Sequence, residues 1–148
     1  MVYMYDDILV PTDGSAGTDE TLMHALDIAT QRGATIHALS VVDRRVYLSA
    51  DRDQQDTILD GMTESAEEAV GAIEERTTDA GVETVTAVRD GVPHSEILRY
   101  ADEEGIGLIV IGTHGRTGRD KLVNMGSVTE RVVENASQPV LVIHIGDD

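Results

Sequence analysis

The chain has 148 residues, 28 acidic against 11 basic, for a formal charge of −17; that length predicts one domain over residues 1–148, large enough to bury a single core without staples. No cysteine occurs, which excludes disulfide scaffolds, thiol catalysis, zinc ribbons and iron–sulfur clusters. A surface this acidic offers no large basic face for phosphate backbones, and with no Trp or Phe there is no stacking platform, so no nucleic-acid partner is expected.

Asp7-Ile8-Leu9-Val10-Pro11 reads as a short buried strand. From Ser15 to Arg32, Leu22, Ala25, Leu26 and Ala29 share a helical face, with Ser15 or Thr18 as the expected cap and Gly33 as the stop. Thr35 to Asp43 is a second strand, and residues 44–52 read as a polar loop carrying Arg44, Arg45 and Arg52. A long helix follows from about Asp53 to Thr78, its inner face marked by Ile58, Met62, Ala66, Ala69 and Ile73, and Gly81 ends it. Glu83 to Arg89 alternates as a half-exposed strand does.

Pro93 suits a first helical turn, and Ile97, Leu98 and Ala101 continue that helix to Gly105. Ile106 to Ile111 is a charge-free strand. After a glycine-rich loop over residues 112–126, a helix runs from Ser127 to Ala136 with Val128, Val132, Val133 and Ala136 inward. Pro139 opens a last strand, Val140 to Ile145. Strand and helix alternate four times before a final strand, which predicts a doubly wound α/β sheet with parallel strands. Ligands of such sheets bind beyond the carboxyl ends of the strands, where the strand order reverses.

Charge and hydropathy set the surroundings. No apolar run approaches the roughly 18 residues of a membrane span. The first residues, Met-Val-Tyr-Met-Tyr-Asp-Asp, lack a basic region followed by an apolar stretch. A cytoplasmic chain with no membrane partner is expected. Lys121 is the only lysine. This acid-rich, lysine-poor composition predicts a halophilic protein, because the self-repulsion of −17 is screened when the Debye length falls to about 3 Å in molar salt.

The chemistry concentrates in Gly112-Thr113-His114-Gly115-Arg116-Thr117-Gly118-Arg119-Asp120-Lys121, which runs on to Gly126-Ser127. Glycines let main-chain N–H groups approach an anion, Ser127 starts a helix whose N-terminus carries partial positive charge, and Arg116, Arg119 and Lys121 form a positive island. The pattern predicts a phosphate site. Neither the P-loop spacing nor the dinucleotide fingerprint is present. Asp13, at a strand end near that site, is a candidate oxygen ligand for Mg²⁺, with a turn role in Asp-Gly-Ser as its structural alternative.

These residues together resemble the universal stress protein family over essentially the whole chain. The resemblance is carried by Pro11-Thr12-Asp13 closing the first strand and Val41-Val42-Asp43 closing the second. It continues in Gly-Thr-His-Gly-Arg-Thr-Gly, then Gly-Ser-Val-Thr-Glu-Arg-Val, then the final Pro-Val-Leu-Val. It implies five parallel strands in the order 3-2-1-4-5 and, in the nucleotide-binding branch, an ATP or AMP site between strands 1 and 4. By the same resemblance Val41 would meet adenine through its backbone. Pro11, Thr12 and Asp13 would line the nucleoside and phosphate side, and Gly112, Gly115, Gly126, Ser127 and Val128 would hold ribose and phosphates.

His114, Arg116 and Thr129 complete the candidate set, His114 as a hydrogen-bonding rather than a catalytic group. The family's motif has nine residues between its second and third glycines, whereas ten separate Gly115 from Gly126 here. The resemblance also implies a homodimer. Val140, Leu141, Val142 and Ile143, an uncharged strand at the sheet's edge in that order, are the expected interface.

No committed base or nucleophile stands out, so at most slow ATP hydrolysis is expected. The competing readings are a dimeric stress or signalling module without nucleotide, a flavodoxin-like redox carrier, which the missing aromatics disfavour, and a phospho-receiver with Asp90 as acceptor, which lacks a lysine after the fifth strand.

Overall fold

In the computed structural model, which describes residues 4–113 and 125–145, β1 (Asp7–Pro11) leads into α1 (Gly17–Arg32) and β2 (Thr35–Asp43). A short α2 (Arg44–Leu48) precedes the long α3 (Gln55–Asp79) and β3 (Thr84–Gly91). Then come α4 (Pro93–Glu103), β4 (Leu108–Gly112), α5 (Ser127–Asn135) and β5 (Val140–Ile143). All pairings are parallel, in the order β3-β2-β1-β4-β5. No helix among the described residues is long and apolar enough to cross a membrane.

Strand alternation divides the core into two layers. Ile8, Val10, Ile36, Ala38 and Val110 face α1 and α3, where they meet Leu22, Ala25, Ala29, Val70 and Ile73. Leu9, Leu39, Ile109 and Ile111 face the other way and meet Ile97, Tyr100, Ala101 and Val132 of α4 and α5. Both faces of the central strands are covered, so their sequences are continuously apolar rather than alternating. Each fully buried Ile or Leu contributes roughly 1.5–3 kcal/mol.

Three local expectations are corrected. Residues 44–52 are not all loop: α2 forms because the Asp43 carboxylate accepts from Arg45 N at 3.0 Å, and Arg45 Nε and Nη2 bond back at 2.9 and 2.8 Å. Neither Ser15 nor Thr18 caps α1 through its side chain. The N-cap is Ala16, and the Thr18 hydroxyl pairs instead with Thr12 Oγ1 at 2.9 Å. Val133 is 40% exposed, because one residue after the inward Val132 turns about 100° around the helix.

The sheet has a step at its carboxyl end. The last β1–β2 pairing is Pro11↔Leu39, yet β2 runs on beside β3 through Val41↔Arg89 to Asp43↔Gly91. Residues 41–43 therefore stand past the end of β1.

Candidate functional site

The step opens into a cleft of about 950 Å³ at the carboxyl ends of β1, β2 and β4, a size in the range of small-molecule sites, roughly 300–1,000 Å³. It lies where the chain order reverses, since β1 is followed in space by β2 on one side and β4 on the other. Its walls include Pro11, Thr12, Asp13, Val41, Gly112, Gly126, Ser127, Val128 and Thr129. Of the sequence candidates, His114, Gly115 and Arg116 lie outside the described residues, as do Arg119 and Lys121 of the positive island.

Each wall is held by specific bonds. After β1, Thr12 N donates to Leu39 O at 2.8 Å, Gly14 N donates to Thr12 Oγ1 at 3.0 Å, and Ser15 N donates to Asp13 Oδ1 at 2.9 Å. The Asp13 carboxylate thus sets the turn between β1 and α1. The glycine-rich segment is closed at its base, because Gly126 N donates to Thr113 O at 2.6 Å. Thr129 Oγ1 donates to Gly112 O at 2.7 Å, tying the first turn of α5 to the end of β4. Thr113 N donates to Ile143 O at 2.9 Å, and Ile145 N donates to Thr113 Oγ1 at 3.0 Å, which fixes the same point to β5. An added residue between Gly115 and Gly126 leaves these anchors in place.

Gly112 has a packing reason to be glycine. A Cβ there would lie 3.0 Å from Thr21 Oγ1 and 3.1 Å from Ile145 Cγ1. The start of α5, where a helix leaves its first N–H groups without intrahelical acceptors and carries the positive end of its dipole, borders the cleft. At the other rim, the hydrogen bonds from the Arg45 side chain hold the Asp43 carboxyl below the usual carboxylate range, against the opposing effect of partial burial. Asp90, at the end of the edge strand β3, accepts from Tyr47 Oη at 2.8 and 3.0 Å, and that bond raises the Tyr47 hydroxyl's pKa.

Sequence reasoning missed one wall. Thr57, Ile58, Gly61, Met62, Ser65 and Ala66 of α3 line the cleft, as do Ser40 of β2 and Thr18 of α1. Ile58, Met62 and Ala66 were legible as one helical stripe, but a stripe reads as core. Only the length of α3 relative to the sheet turns its first part toward the cleft.

The family model of the universal stress protein family matches residues 4–144. The universal stress protein MJ0531 of Methanocaldococcus jannaschii is 36% identical over 141 residues, covering 95% of this chain and 82% of that protein. MJ0577 of the same organism is 29% identical over 158 residues, covering 97% of each. The solved structure of MJ0577 matches with a TM-score of 0.89 at 30% identity, over 99% of this chain and 100% of that one. The universal stress protein from Archaeoglobus fulgidus solved in complex with dAMP shares the fold, with a TM-score of 0.64 at 24% identity, over 97% of this chain and 99% of that one.

Proposed function

This chain belongs to the universal stress protein family, and from that premise we propose that its cleft binds an adenine nucleotide, ATP or AMP, as the ligand of a stress-response regulatory protein. The observation that carries this reading is convergence. Residues from the ends of β1, β2 and β4 and the start of α5, the places where the strand order and the family resemblance put a ligand, line a single cleft of nucleotide size.

The base and ribose would lie against Pro11 and the backbone of Val41, and the phosphates would reach Gly126, Ser127, Val128 and Thr129 at the α5 N-terminus. His114, Gly115 and Arg116 belong to the same proposed set. Asp13 supplies a hard oxygen ligand for the Mg²⁺ that accompanies a triphosphate. The universal stress protein from Archaeoglobus fulgidus, which shares this fold, has been solved in complex with dAMP, which is in keeping with this reading.

The reading extends to assembly and setting. β5 is a sheet edge, and its Val140, Leu141, Val142 and Ile143 are proposed to pair with a second copy across a two-fold axis. The acidic, lysine-poor surface suits a salt-rich cytoplasm, where screening removes its self-repulsion.

Titration calorimetry in molar KCl tests the core claim. Folded protein should release or absorb heat with Mg-ATP or AMP at micromolar to millimolar concentrations. A folded protein giving no heat with ATP, ADP or AMP places the chain among nucleotide-free members of the family.

A further inference from the structure

Ser40 is 5% exposed, lies on β2 near its carboxyl end, and lines the cleft. Alternation along β2 puts it on the same face as Ile36 and Ala38, the face that packs against α1 and α3. The crossover brings α3 back antiparallel to β2. The turns before Val70, those of Ala66 and Met62, therefore lie toward the residues after Ala38, Ser40 and Val42.

The other buried hydroxyls of the cleft are satisfied within the protein. Thr12 Oγ1 accepts from Gly14 N at 3.0 Å and pairs with Thr18 Oγ1 at 2.9 Å. Thr21 Oγ1 donates to Gly17 O at 3.0 Å, and Thr129 Oγ1 donates to Gly112 O at 2.7 Å. Ser40 Oγ has no hydrogen-bond partner among the described residues, and it is not sealed in the core, so it opens onto the cleft. The hydroxyl is therefore free to bond water or an occupant of the cleft, and an alanine at the same place, like Ala38 two residues earlier, would serve the packing equally well.

We propose that Ser40 is a specificity-determining residue, whose hydroxyl hydrogen-bonds the polar edge of the ligand's heteroaromatic base in the lobe between β2 and the first half of α3. This rests on the nucleotide reading of the cleft. A hydroxyl both donates and accepts, so it suits a ring nitrogen or an exocyclic amino group, and it disfavours a ring edge bearing no polar atom. Val42 and Met62 supply apolar surface beside it, the usual composition of a base pocket: mostly apolar, with few polar groups that fix orientation.

The test compares wild type with Ser40→Ala in molar KCl. Affinities for AMP and for ribose 5-phosphate are measured by displacement of labelled AMP, and the thermal midpoints of the free proteins are recorded. Loss of one neutral hydrogen bond predicts AMP binding weakened roughly 3- to 10-fold, ribose 5-phosphate binding unchanged, and a free variant as stable as wild type or more so. Equal AMP affinity in both proteins overturns this inference and leaves the nucleotide reading standing. Weakening of both ligands alike overturns it too, since the hydroxyl would then not read the base. A free variant less stable than wild type shows that the hydroxyl already serves the fold, and overturns it as well. A wild type that binds neither labelled AMP nor ATP removes the nucleotide reading and this inference with it.

Discussion

Ala66, Ala69, Val70, Ile73 and Thr77 of α3 are buried against the sheet, whereas no residue from 57 to 65 of the same helix is. The second half is a structural strut. The first half overhangs the cleft, with Thr57, Ile58, Gly61, Met62 and Ser65 along its wall. The difference is one of length. At 25 residues, α3 is about 37 Å long at 1.5 Å per residue. Only Thr35 to Leu39 of β2 pair with β1, a length of about 17 Å. The rest of the helix lies past the end of β1, so it becomes a wall.

The largest expected effect lies in the strut. Ile73 is 1% exposed, and Ile73→Ala should cost about 2–5 kcal/mol in denaturant melts in molar KCl, while the folded protein keeps the nucleotide affinity proposed for wild type. An affinity loss in the folded state would erase the division between the halves.

A matched pair of glycines sharpens the contrast. A Cβ at Gly61 or at Gly71 would meet nothing within 4 Å, so Ala at either should stabilise the helix by up to about 1 kcal/mol. Only Gly61 lines the cleft. Gly61→Leu should therefore weaken nucleotide binding about tenfold, near 1.4 kcal/mol, and Gly71→Leu should not. Equal affinities for the two Leu variants would show that the first half is no wall.

The smallest effect concerns Asp43, which starts α2 and so leads the chain toward the overhanging half. Its pKa is depressed in the folded protein, chiefly by the Arg45 hydrogen bonds. Its contribution is therefore fully present above the unfolded carboxylate value and is lost as pH falls through the depressed folded value. Asp43→Ala should cost about 1 kcal/mol at pH 7, and the gap to wild type should close on acidification below about pH 4. Hydrogen exchange should rise over residues 55–65 and not over 66–77.

The strands and long helices were legible because buried parallel strands tolerate no charge, as in Leu108 to Ile111, and because α3 repeats its apolar positions at helical spacing. The motif-bearing part of the cleft was legible for another reason: Pro11, Thr12, Asp13 and Gly126 to Thr129 stand at strand and helix ends, where ligands of such sheets bind, and their individual roles came from the family resemblance. What was hidden depends on tertiary geometry. α2 has five residues and no apolar period; it exists through the Asp43–Arg45 bonds. Ser40 reads as one more small strand residue until its neighbours' hydroxyls are seen to be paired and its own is not. Val133 and Val132 are identical side chains whose burial differs because one residue rotates the side chain about 100° around the helix.

The position of β1 at the centre of the sheet also orders events in time. Its β2 partners come 28 residues after it, as Ile36 does after Ile8, but Leu108 and Ile109, its β4 partners, come a hundred residues after Ile8 and Leu9. A nascent chain can assemble β1, β2 and β3 under α1 and α3 while Leu9 and Leu39 still lack α4 and α5, and closing the β1–β4 gap is the long-range, entropically late step. The cleft spans that gap, so it exists only once nearly everything else does. An occupant of the cleft therefore arrives too late to guide the chain to its fold; it acts as a brake on escape, slowing unfolding without hastening assembly.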